Sequence, residues 1–72
     1  MAGSGDSVYK VVEVIGTSKK SWADAGKNAV ETASRKLRDL RIAEVVKLDI
    51  KIDKNKALLY RALVRLSFKY EH

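Results

Sequence analysis

The chain has 72 residues, 46% of them apolar and 33% charged, and its 15 Lys and Arg against 9 Asp and Glu leave a net charge of +6. That length holds one small domain, and the composition excludes a disordered chain. No stretch approaches the ~20 apolar residues of a membrane helix and no apolar run follows a charged start, so the reading is a soluble, cytoplasmic protein without a membrane partner.

Residues 1–7 are small, polar and Gly-rich and read as a flexible arm, while residues 71–72, with the single histidine His72, read as a tail. The folded domain is expected over 8–70. Val8 to Gly16 is rich in β-branched residues and stops at a glycine, which predicts a strand. Ser21-Trp22-Ala23-Asp24 has capping-box spacing and opens a helix. Trp22, Ala25, Gly26, Ala29, Ala33, Leu37 and Leu40 then recur at steps of three or four, predicting one apolar stripe over Trp22–Leu40. Glu31 and Arg35 are spaced for an i,i+4 pair.

Beyond Leu40 the period falls to two. Val46, Leu48, Ile50 and Ile52 alternate with Lys47, Asp49, Lys51 and Asp53, and Asp53-Lys54-Asn55-Lys56 is a turn of hairpin length. Leu58, Tyr60, Ala62, Val64, Leu66, Phe68 and Tyr70 fill every second position of a final long strand. The order is strand, helix, strand, strand, in the α+β class, with the last two strands forming an antiparallel hairpin.

This arrangement is hard to complete in one copy. Leu58–Tyr70 spans about 43 Å at ~3.3 Å per residue, whereas Trp22–Leu40 covers about 28 Å at ~1.5 Å per residue. Both ends of the apolar face overhang, and Leu59 and Leu63 add apolar side chains to the other face. A domain this small buries only about 60% of its unfolded surface, and this one has neither cysteines for disulfides nor a Cys/His cluster for a structural metal. A symmetric homo-oligomer is the economical solution; a sheet that wraps its helix more fully is the other.

The segments Val8-Tyr9-Lys10-Val11-Val12-Glu13-Val14-Ile15-Gly16-Thr17-Ser18, Ser21-Trp22, Asn28-Ala29-Val30-Glu31 and Ala43-Glu44-Val45-Val46, in this order, resemble the dodecin family over nearly all of Tyr9 to Tyr70. The resemblance implies a β-α-β-β subunit whose three-stranded antiparallel sheet wraps one helix, and a homododecamer in the form of a hollow shell. It also implies a role in binding and storing flavins, riboflavin or FMN, rather than catalysis. In flavin-binding members a tryptophan just before the Ala-Glu-Val segment stacks on the flavin, and a glutamine on the last strand bonds the ring edge. Here those positions are Ile42 and Arg61. Dodecin-like proteins without the tryptophan include members described as calcium-binding.

The same alignment places Ile42 and Arg61 in a pocket on a two-fold axis, with Arg41 and Lys47 nearby. The plainer reading is that Ile42 packs a subunit contact and Arg61 pairs with a carboxylate. Trp22, at stripe spacing in the first turn, reads as a helix anchor, and Glu13 and Glu44 read as partners in ion pairs. For calcium, Asp49 and Asp53 are the only closely spaced carboxylates, and lysines alternate with them, so a metal site has no nameable ligand set. Catalysis is not expected, because the chain has no internal histidine, no cysteine and no Gly-rich phosphate loop. Nucleic acid is the rival partner, through Arg61 and Arg65 on one strand face. The scatter of lysines over every element and the lack of interleaved aromatics argue against it.

Overall fold

A computed structural model describes residues 8–69. The expected arm over 1–7, the tail over 71–72 and Tyr70 lie outside the described residues. The elements are β1 (Tyr9–Ser18), α1 (Trp22–Ser34), β2 (Leu40–Asp53) and β3 (Lys56–Lys69). β3 is central, with β1 and β2 antiparallel on either side of it. The expected strand–helix–strand–strand order and closing hairpin are both present.

Local chemistry explains each boundary. Lys54 and Asn55 have φ of 51° and 66°, so the hairpin turns through two left-handed residues between the paired Asp53 and Lys56. That twist matches the right-handed twist of the strands. At the helix start, Ser21 Oγ accepts from the Asp24 backbone N–H at 3.0 Å. The Asp24 carboxylate does not complete a reciprocal box; it accepts from Ser18 Oγ at 2.7 Å. Ser18 Oγ in turn accepts from the Lys20 N–H at 2.9 Å, so the end of β1 and the start of α1 share one polar knot.

The helix is shorter than its apolar spacing predicts. It ends at Ser34, with the Leu37 N–H still bonded to the Ala33 carbonyl at 2.9 Å. Asp39 then takes φ of 59°, a conformation no helical residue adopts. Leu40 continues the helical spacing only by coincidence: it pairs with Phe68 and packs on the core as the first residue of β2. β2 therefore begins six residues before the expected Val46. Shortening also dissolves the expected Glu31–Arg35 pair, since Arg35 becomes the C-cap, and Glu31 lies 4.0 Å from Lys27 instead.

Gly16 does not stop β1, which runs on to Ser18. Its function is close approach. A Cβ there would sit 2.0 Å from the Ala25 carbonyl oxygen and 2.8 Å from the Ala29 Cβ. Ala25 and Ala29 press against the sheet through this gap, and with Ala62, Val64 and Leu66 of β3 they form the buried core.

That core is small for the strands it serves. A 13-residue helix spans about 20 Å, and 14-residue strands span about 46 Å. The molecule measures 56 × 20 × 16 Å with a radius of gyration of 15.1 Å, where a compact chain of this length has about 11 Å. The disparity read from the sequence is thus larger in the structure. Leu58 and, at the far end of β2, Ile52 remain exposed, as do Val45, Val46, Leu48 and Ile50.

Gly16→Ala is expected to lower unfolding stability by about 3 kcal/mol, the upper end for overpacking, because the clash is with backbone. Gly26→Ala meets nothing within 4 Å and should raise it by up to about 1 kcal/mol. Urea denaturation of both variants beside the parent checks the pair; equal midpoints would show that the helix does not rest on Gly16.

Candidate functional site

Side chains alternate along β3. Ala62, Val64 and Leu66 face the helix, while Leu59, Arg61, Leu63, Arg65 and Ser67 face the opposite side. Cross-strand register builds rows on that outer face. One row is Glu13–Arg65–Glu44 and the next but one is Thr17–Arg61–Asp49, each drawn from β1, β3 and β2 in turn.

Both rows are held by ions. Arg61 donates from Nε to Asp49 Oδ1 at 2.7 Å and from Nη2 to Oδ2 at 2.9 Å, the two-pronged geometry of a strong guanidinium–carboxylate pair. This hydrogen bonding, opposed by partial desolvation and helped by the charges of Arg61 and Lys47, holds the Asp49 carboxyl below its usual range. The same contact raises Arg61. Arg65 donates to Glu13 Oε2 at 2.8 Å and lies 3.7 Å from Glu44 Oε1. Glu13 and Glu44 are thus partners in ion pairs, as expected, and both pairs lie within one subunit.

Trp22 is the anchor its spacing implies. Its Nε1–H donates to the Asp49 carbonyl at 2.9 Å, and its ring meets Tyr60 edge-on, centroids 5.1 Å apart. The helix, Tyr60 and the Arg61–Asp49 pair therefore form one connected unit.

The four residues singled out for a ligand pocket are not gathered in one subunit. Ile42 lies opposite Ser67 on β2 and is 60% exposed. It shares the outer face with Arg61 but sits about 20 Å along the strands from it, six residues at ~3.3 Å each. Arg41 falls at the strand irregularity between Leu40 and Ile42, and Lys47 lies opposite Leu63. Of these, Lys47 alone is close enough to influence the Arg61–Asp49 pair. Asp49 is the residue sequence reasoning underrated. Its signal was present, a carboxylate in the strand paired with that of Arg61, but cross-strand register is not visible without the bulges that shift it. Those bulges fall between Leu40 and Ile42, Val45 and Lys47, and Lys51 and Ile52, and they break the strict alternation read over 46–53.

Among the described residues no group of three or more His, Cys, Asp or Glu lies close enough to hold a metal ion. Calcium takes six to eight oxygens, and Asp49 is engaged by Arg61, so the donor set of one subunit does not fit it. No helix is long and apolar enough to cross a membrane.

Residues 8–71 match the family model described as Dodecin. The chain is 41% identical over 63 residues to the calcium dodecin of Mycobacterium tuberculosis, covering 88% of this chain and 89% of that protein. Among solved structures it is similar to the dodecin of Streptomyces coelicolor, with a TM-score of 0.86 and 32% identity over 94% of this chain and 97% of that one. It is also similar to the calcium dodecin of M. tuberculosis, described as a calcium-chelating antigen with a novel calcium-binding site. There the TM-score is 0.81 and the identity 40%, over 90% of this chain and 93% of that one.

The lowered Asp49 pKa fixes a sign. Its stabilising contribution is complete above the unfolded value near ~3.9 and is lost as pH falls through the lower folded value. Carbon NMR of the Asp49 carboxyl should give a midpoint below ~3.9, and Arg61→Gln should move it upward. An unchanged midpoint would mean that the ion pair does not persist in solution.

Proposed function

Because the chain belongs to the dodecin family, we propose that it is a non-catalytic, cytoplasmic subunit that assembles with copies of itself and holds a small ligand in clefts between them. Twelve copies in a shell is the number the family resemblance implies. One observation carries this reading: Ile42 and Arg61 share a face but lie about 20 Å apart, so a pocket lined by both must draw them from different copies. The exposed apolar residues of β2 supply the contact surface such assembly needs.

Flavin is the ligand class with the longest reach, and two residues weaken it. Stacking on an aromatic face is worth roughly 1–3 kcal/mol per ring, and Ile42 keeps apolar burial while losing that face. Arg61 can only donate, whereas the edge of a flavin ring offers both donors and acceptors. Riboflavin and FMN are therefore held loosely, through burial more than through stacking.

Calcium is the second reading, favoured by the 41% identity to a protein named calcium dodecin. It requires oxygens gathered from several copies. Nucleic acid is disfavoured, because Arg65 is matched by Glu13 and Glu44, which breaks the basic stripe, and the lysines are scattered over every element.

Native mass spectrometry of the protein as isolated should show a species near twelve subunits; a monomer at micromolar concentration would overturn the proposal. Riboflavin fluorescence should be quenched weakly by the parent, and riboflavin should bind at least about tenfold more tightly to Ile42→Trp combined with Arg61→Gln. If that double change leaves affinity untouched, these residues do not line the cleft. Calorimetry with calcium alone decides the second reading.

A further inference from the structure

The patch around Arg61 holds more positive charge than its single carboxylate can absorb. Lys47 and Lys51 lie two residues to either side of Asp49 on β2, and strand alternation puts all three on the outer face with Arg61. Lys47 acts electrostatically on Asp49. By register, the outer-face row Lys47–Asp49–Lys51 together with Arg61 sums to +2, with Arg61 and Lys47 acting directly on the carboxylate. Arg61 is 39% exposed and Asp49 34%, so the guanidinium fork is accessible to an outside acceptor.

The geometry points to an anion site for a phosphate monoester, in which Asp49 is the built-in competitor: it occupies the Arg61 fork until a phosphate group displaces it. This deepens the small-ligand reading above and rests on it for the rest of the ligand. A phosphate monoester brings three acceptor oxygens and a charge of about −1.5 to −2 at neutral pH. It suits a planar guanidinium fork flanked by two ammonium groups better than the lone carboxylate does. Arg65, on the same face, does not offer the equivalent. It has two carboxylates around it, Glu13 and Glu44, and its cross-strand partners carry no further cation.

The structure also supplies a reporter. Trp22, the only tryptophan in the chain, is bonded to the Asp49 carbonyl and meets Tyr60 edge-on. A phosphate that displaces the Asp49 carboxylate would be read through the Asp49 carbonyl that holds the indole, whether or not any flavin is present.

Inorganic phosphate, titrated at constant ionic strength, should produce a saturable change in Trp22 emission that chloride does not. Arg61→Gln should abolish it. Asp49→Asn, which removes the competing charge, should tighten it about threefold, the scale of an exposed ion pair. Arg65→Gln should leave it unchanged, and circular dichroism confirms that each variant is folded. In parallel, FMN should bind at least about tenfold more tightly than riboflavin, and that preference should vanish in Arg61→Gln. A phosphate response without binding of either flavin supports the anion site and overturns the flavin reading. Equal binding of FMN and riboflavin with no phosphate response overturns the anion site and leaves the small-ligand reading standing. So does a phosphate effect no larger than that of chloride, or one that survives in Arg61→Gln.

Discussion

The contact that organises this subunit is the one between Gly16 and the Ala25–Ala29 turn of the helix. Because nothing projects from Gly16, α1 lies close against the sheet, and Ala25 and Ala29, with Val30 and Ala33 at their flanks, pack on Ala62, Val64 and Leu66. Small residues allow a close seat but bury little area each. The helix is bound tightly where it touches and leaves the strand ends bare. Larger side chains at 25 or 29 would bury more surface and lift the helix, so the short, close contact and the uncovered sheet are two consequences of one choice.

What remains bare is distributed unevenly. β1 and β3 carry the helix, while β2 stays with it through Leu40 at one end and through Trp22 and Asp49 towards the other. Between these tethers Val45, Val46 and Leu48 are exposed along an open sheet edge. Such an edge invites pairing or covering by another chain. In a 72-residue protein with no disulfide to compensate, this bare edge is the feature that supports the proposed self-assembly.

Much of this was legible beforehand, and the failures have physical causes. Strand identity, the turn at Lys54–Asn55 and the cap at Ser21 follow from β-branched alternation, a polar dipeptide that tolerates positive φ, and a hydroxyl three residues before an acceptor-seeking N–H. The helix end was misjudged because Leu37 and Leu40 keep the apolar spacing after the chain has left the helix. Only Asp39, a residue type that tolerates the left-handed region, marked the break. Gly16 was misread because a glycine in a strand signals either a stop or a close approach, and only the partner surface distinguishes them. The site was legible as residue types but not as a constellation, since three bulges in β2 decide which of its residues face Arg61.

Arg61, in an ion pair with Asp49, stands where the family resemblance implies a neutral amide, and the proposed inter-subunit cleft would reward a different kind of ligand. An exposed Arg–Asp pair contributes little to stability in water. Closed between copies, the same pair loses its hydration and needs its remaining hydrogen-bonding groups satisfied. A neutral ring pressed against it supplies few acceptors and leaves those groups poorly matched. A ligand carrying its own anionic oxygens replaces the lost water on Arg61 and draws on Lys47 as well. If copies close over this face as proposed, assembly and ligand choice become coupled through Asp49. The carboxylate that neutralises Arg61 within the subunit is the group that the proposed ligand would have to outcompete.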